Sequence, residues 1–96
     1  MMAESLSQVR AEIDKIDDAL IGLIAKRGEF VKQAATFKKT TAQVAAPERV
    51  QQVIDKVTKL AIEKGADTQL VENLYRQMIA DFIRIEHQAF KVNLKD

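Results

Sequence analysis

The chain has 96 residues, with 15 Lys and Arg against 14 Asp and Glu, a formal charge of +1 and a pI near 8.0. That size fits one domain, residues 1–96, and the balanced charge supplies no field of the kind that draws nucleic acid or an anionic membrane. With no cysteine and a single histidine, His87, disulfide staples, thiolate metal sites and histidine metal sites are excluded, and neither a metal nor another cofactor is expected.

No apolar run is long enough to span a bilayer, and Met1 to Ser7 lacks the basic and apolar regions of an export signal, so the expected location is the cytoplasm. Three glycines, one proline and no alternating β-branched run predict an all-α chain of three helices. Ser5 with Gln8 three residues on has the spacing of a capping box and opens the first helix, predicted over Ser5 to about Lys39. Leu6, Val9, Ile13, Ile16, Leu20, Leu23, Phe30, Ala34 and Phe37 step by threes and fours, forming one apolar stripe that passes Gly22 and Gly28 without stopping.

Arg27 sits within that stripe. Lys38 follows eleven residues later, roughly 20° from Arg27 around a continuous helix, so the two cations are expected on one dry face. Arg10 is turned roughly 100° from Arg27 and lies about 25 Å along the axis, too far to serve the same small site in one straight helix. A cation on a core-facing stripe costs several kcal/mol unless an anion meets it, supplied by the protein or by a ligand.

Lys39 to Ala45 loses the stripe, and its adjacent threonines predict a loop; its place beside Lys38 makes it a candidate lid. Pro47 is pre-set for a first helical turn and starts the second helix, whose inner face is Val50, Val53, Ile54, Val57, Leu60 and Ala61. Gly65 ends it. Asp67 or Thr68 caps the third helix, with the stripe Leu70, Leu74, Met78, Ile79, Phe82, Ile85 and Ala89.

A first helix of about 34 residues is roughly 50 Å long, whereas a compact domain of this size has a radius of gyration near 13 Å. Two shorter helices cannot cover such a rod, which predicts an intertwined symmetric homodimer in which a second copy covers the rest. Arg10 then reaches the partner's site. Four ionisable groups lie on or beside apolar faces: Arg27, Lys38, Arg49 and Glu86. Each has an ordinary reading: Arg49 as a solvated first-turn residue, Glu86 as a buried partner of Lys38 or Arg84, and the cations as snorkelling side chains. Taken together, three helices direct an excess of cations toward one interior, which suits a small dicarboxylate held by guanidinium forks and a lysine. Chemistry in such a pocket would run on shape and electrostatics.

With these residues in view, the chain resembles the all-helical chorismate mutases, the AroQ class, from about Leu6 to Ala89. The resemblance is carried by VRAEIDKIDDALIGLIAKR, the F-V-K-x-A-A-x-F-K run ending at Lys38, A-P-E-R-V at Ala46 to Val50, and FIRIE at Phe82 to Glu86. It implies an intertwined helical dimer that rearranges chorismate to prephenate without a cofactor. Arg10 would enter from the partner subunit, Arg27 would clamp a carboxylate, Lys38 would bind a carboxylate and the ether oxygen of the breaking bond, and Arg49 would support the carboxylate end. Where the mutases place an Asp and a Glu to hold the ring hydroxyl, this chain has Ala46 and Val50; a hydroxyl without an acceptor loses roughly 1–3 kcal/mol. The isochorismate pyruvate lyase branch, which eliminates pyruvate from isochorismate to give salicylate, shares the A-P-E-R-V pattern and an aromatic at Phe82. The resemblance therefore leans toward the lyase, with chorismate mutase as the alternative and a non-catalytic helical dimer module as a further one. Glu86 stands where both bacterial branches commonly have a Gln that donates to the ether oxygen, and a carboxylate donates only when protonated.

Overall fold

The computed structural model describes the backbone of residues 4–95 and the side chains of residues 4–89. The chain folds as α1 (Leu6–Ala35), α2 (Thr41–Ala45), α3 (Pro47–Lys64) and α4 (Thr68–Lys95), three long helices and one short one, with no strand among the described residues. The all-α expectation is met. The start of the export-signal reading, at Met1 to Ala3, lies outside the described residues.

The predicted start of α1, end of α3 and start of α4 correspond to observed caps. Ser5 Oγ accepts from the Gln8 N–H at 3.2 Å, while Gln8 Oε1 accepts from the Glu4 N–H at 2.6 Å, one residue ahead of the reciprocal bond a capping box makes. Gly65 closes α3 in the left-handed region at φ 74°, its N–H turned back to the carbonyls of Ala61 and Ile62. Asp67 Oδ1 accepts from the Leu70 N–H at 2.8 Å and caps α4.

Two expectations are corrected between Thr36 and Ala45. The first helix ends at Ala35, four residues short of Lys39. The N–H groups of Thr36, Phe37 and Lys38 each turn to the carbonyl three residues back, and Thr36 Oγ1 also takes up the Gln33 carbonyl at 2.6 Å. This tightening draws the chain out of α-helical phase. Lys38 therefore lies beyond α1, and the predicted 20° alignment with Arg27 along one helix does not hold. Phe37, placed in the apolar stripe by spacing, is 83% exposed.

The expected loop at Lys39 to Ala45 instead contains α2. Thr40 is extended at φ −132°, ψ 159° and its Oγ1 accepts from the Gln43 N–H, while Gln43 Oε1 accepts from the Lys39 N–H at 2.6 Å. The threonine that suggested a loop is an N-cap. Ala46, in the left-handed region at φ 39°, ψ 61°, ends α2 and begins α3 at once. Such a conformation is uncommon for a residue with a Cβ and persists where its surroundings impose it.

The contacts divide the chain into two compact units, Met1–Val31 and Lys32–Asp96. In the first, the described residues belong almost wholly to α1. Leu6, Val9, Ile13, Ile16, Leu20, Leu23 and Phe30, the apolar positions predicted to face inward, are all exposed within the single chain. Gly28 is buried.

In the second unit α3 packs on α4, and α2 also lies against α4. The core is Val44 from α2, Ile54, Val57 and Ala61 from α3, and Ile79 from α4. The predicted inner face of α3 is the one buried, with Val50, Val53 and Leu60 half-buried at its margins. On α4 the predicted stripe turns inward only from Met78 to Ile85; Leu70, Leu74 and Ala89 are exposed.

Candidate functional site

Glu86 follows Ile79 by seven residues and Phe82 by four on α4, so the helix period carries it to the face that buries Ile79. It is 5% exposed and is the only charged residue buried among the described ones. A carboxylate there requires a cation, and Lys38 supplies one: its Nζ donates to Glu86 Oε2 at 2.9 Å, with side chains 22% and 6% exposed respectively. Lys38 arrives from the turn between α1 and α2, where its own N–H bonds the Ala35 carbonyl at 3.1 Å and the next N–H, that of Lys39, is held by Gln43.

The sequence thus identified both members of this pair, although it placed Lys38 by the wrong geometry. An ammonium has three N–H donors, and the bond to Glu86 occupies one. Lys38 can hold Glu86 and meet an incoming oxygen together. Among the described residues no buried side-chain nitrogen or oxygen lacks a hydrogen-bond partner.

The other candidate residues of this unit lie as follows. Phe82 is half-buried on α4, one turn before Glu86. Val50 is half-buried in the first turns of α3, its N–H bonded to the Ala46 carbonyl at 3.0 Å. The side chains at 46 and 50 are apolar and offer no hydrogen-bond acceptor. Arg49 is exposed at the start of α3 within the single chain. In the first unit Arg10 is exposed and Arg27 half-buried on α1.

Val44 was missed by the sequence reading. It is 1% exposed, the most completely buried large side chain described, and comes from the shortest helix. A helix of five residues is too short for a periodic signal, yet one clue was present: Thr40 and Gln43 repeat the spacing of Ser5 and Gln8.

Comparison with known proteins places these features in context. The family described as Chorismate mutase type II matches residues 9–87, which include Lys38, Val44 and Glu86. The chain is 36% identical over 78 residues to an isochorismate pyruvate lyase of Pseudomonas aeruginosa, covering 81% of this chain and 77% of that protein. It is 30% identical over 79 residues to a chorismate mutase of Methanocaldococcus jannaschii, covering 81% and 80%. It is also 29% identical over 82 residues to a 4-amino-4-deoxychorismate mutase of Streptomyces venezuelae, covering 84% and 80%.

Proposed function

The chain belongs to the chorismate mutase type II family, and on that premise we propose that it is a cofactor-free pericyclic enzyme whose leading reaction converts isochorismate to salicylate and pyruvate. The observation that carries this reading is the buried pair of Lys38 Nζ and Glu86 Oε2 at 2.9 Å. Breaking the ether C–O bond of an enolpyruvyl substrate moves negative charge onto the ether oxygen, where an adjacent ammonium stabilises the transition state more than the ground state. The preference for isochorismate is supported by the apolar Ala46 and Val50 and by the likeness to the Pseudomonas lyase. Chorismate mutase activity is the second reading, favoured by the likeness to the Methanocaldococcus mutase. Both reactions fold the enolpyruvyl arm over the ring and use the same cation.

In this reading the whole chain, 1–96, acts as one domain in the cytoplasm, and among the described residues no helix is long and apolar enough to cross a membrane. Two copies form a homodimer through the apolar residues that α1 exposes in the single chain. Arg27 and, across the interface, Arg10 of the partner subunit provide guanidinium forks for the substrate carboxylates, with Arg49 supporting them. Phe82 and Val50 supply apolar contact with the substrate. Supplying isochorismate and chorismate separately, and following salicylate against prephenate, tests the reading. Salicylate formation with the higher kcat/KM supports it; turnover of neither substrate by the intact dimer leaves a non-catalytic module.

The hydrogen-bonding character of Glu86 bears directly on the ether oxygen. The ionised carboxylate accepts from Lys38 but has no proton to give the ether oxygen, whereas the neutral carboxyl accepts with one oxygen and donates with the other. Glu86→Gln, whose amide accepts from Lys38 and also donates, is expected to raise kcat/KM by about tenfold, the equivalent of one gained hydrogen bond; an unchanged value would remove Glu86 from a part at the ether oxygen.

A paired substitution addresses substrate choice. Ala46→Asp with Val50→Glu introduces acceptors at the two positions where the resemblance expects them for a ring hydroxyl. Asp tolerates the left-handed backbone of position 46 better than Ala does. The ratio of kcat/KM for chorismate over isochorismate is expected to rise by about tenfold, the equivalent of one regained hydrogen bond. An unchanged ratio, with both activities retained, would mean that these positions do not face the ring.

A further inference from the structure

We propose that Val44 is a positioning residue for the reaction: its burial pins α2 to α4 and thereby holds Lys38 against Glu86. This rests on the reading of Lys38 as the charge-stabilising group. Between the end of α1 at Ala35 and the start of α3 at Pro47, the only buried side chain is Val44. Every other residue from Thr36 to Ala46 is exposed except Lys38, Ala45 and Ala46, which are half-buried. A five-residue helix has too few internal hydrogen bonds to persist alone, so its order comes from what it packs on, here α4.

The strap is tied down in sequence. The Lys38 N–H goes back to Ala35, the Lys39 N–H goes forward to Gln43, and Thr40 caps the turn that carries Val44. Downstream, Ala46 passes directly into α3 in a conformation it would not choose unaided. Lys38 thus has no backbone slack on the side of α2. Loosening the Val44 plug frees the segment whose N-terminal end carries the ammonium.

The test compares Val44→Ala, Val44→Thr and Val44→Ile in the full chain. Two readouts are taken: steady-state kinetics with both substrates, and the rate at which an amine-acetylating reagent labels Lys38, mapped by mass spectrometry with exposed Lys59 as internal standard. In Val44→Ala, labelling of Lys38 is expected to rise severalfold relative to Lys59, and kcat to fall by roughly 10- to 100-fold with a smaller change in KM, the loss that follows misplacing a catalytic group by about 1 Å. Val44→Ile, which retains the apolar plug, should restore both. Val44→Thr keeps the shape but weakens the burial, and carries the same expectation to a lesser degree if Val44→Ala does not fold. Wild-type labelling together with wild-type kcat in a folded Val44→Ala or Val44→Thr overturns the proposal. Increased labelling in a protein whose wild type turns over neither substrate upholds the positioning role and overturns only the enzymatic reading.

Discussion

Lys38→Ala is expected to lower kcat/KM by about 10²–10³-fold on whichever substrate the wild type turns over, the usual consequence of removing one preorganised group from a developing charge. The loss should fall mainly on kcat, because the interaction strengthens as the ether bond breaks. Stability should fall as well, by roughly 1–3 kcal/mol, because Glu86 remains buried without its cation. The two effects separate in a double variant. Lys38→Met with Glu86→Leu replaces the pair by apolar groups of similar size and is expected to regain most of the stability while remaining inactive, because a buried pair is often replaceable energetically. Chemical denaturation and steady-state kinetics on the same preparations measure both. Full activity in Lys38→Ala would leave the 2.9 Å pair a structural feature alone.

Ile54→Ala carries the other large effect. Ile54 is 2% exposed on the inner face of α3, between Val57 and the half-buried Val50. Truncating it removes three carbons from the seam on which α3 and α4 depend, at an expected destabilisation of roughly 2–5 kcal/mol. Thermal unfolding at fixed protein concentration should show a fall in Tm of about 10 °C or more. A change below about 1 kcal/mol would mean that the second unit is held by something other than this seam.

The parts of the fold that a linear reading finds are those with local causes. Pro47 starts α3, Gly65 stops it with a positive φ, Asp67 caps α4, and the α3 stripe faces inward, each for a reason contained within a few residues. The end of α1 was misread because three successive i→i−3 hydrogen bonds and the Thr36 hydroxyl outweigh an apolar spacing that continues through Phe37. Helix α2 escapes a linear reading because Thr40, β-branched and so a loop signal by type, acts as a cap. Its cause is also non-local: Val44 is buried and α2 packs on α4, far away in sequence. At the candidate site, Glu86 was legible because helical phase places it beside Ile79, and its pairing with Lys38 was among the ordinary readings of those residues. Arg49 is exposed within the single chain because a charged residue in the first turn of a helix, next to apolar positions, finds solvent at the margin.

The shared junction at Ala46 has an evolutionary corollary. One residue terminates α2 and initiates α3, so no spacer exists there to absorb a change in chain length. Adding or deleting a single amino acid between Thr41 and Val44 would rotate the downstream part of α2 by roughly 100° and swing Val44 away from its buried position. Relatives that preserve this arrangement should therefore accept indels at the exposed bend of Gly65 to Asp67 and refuse them here.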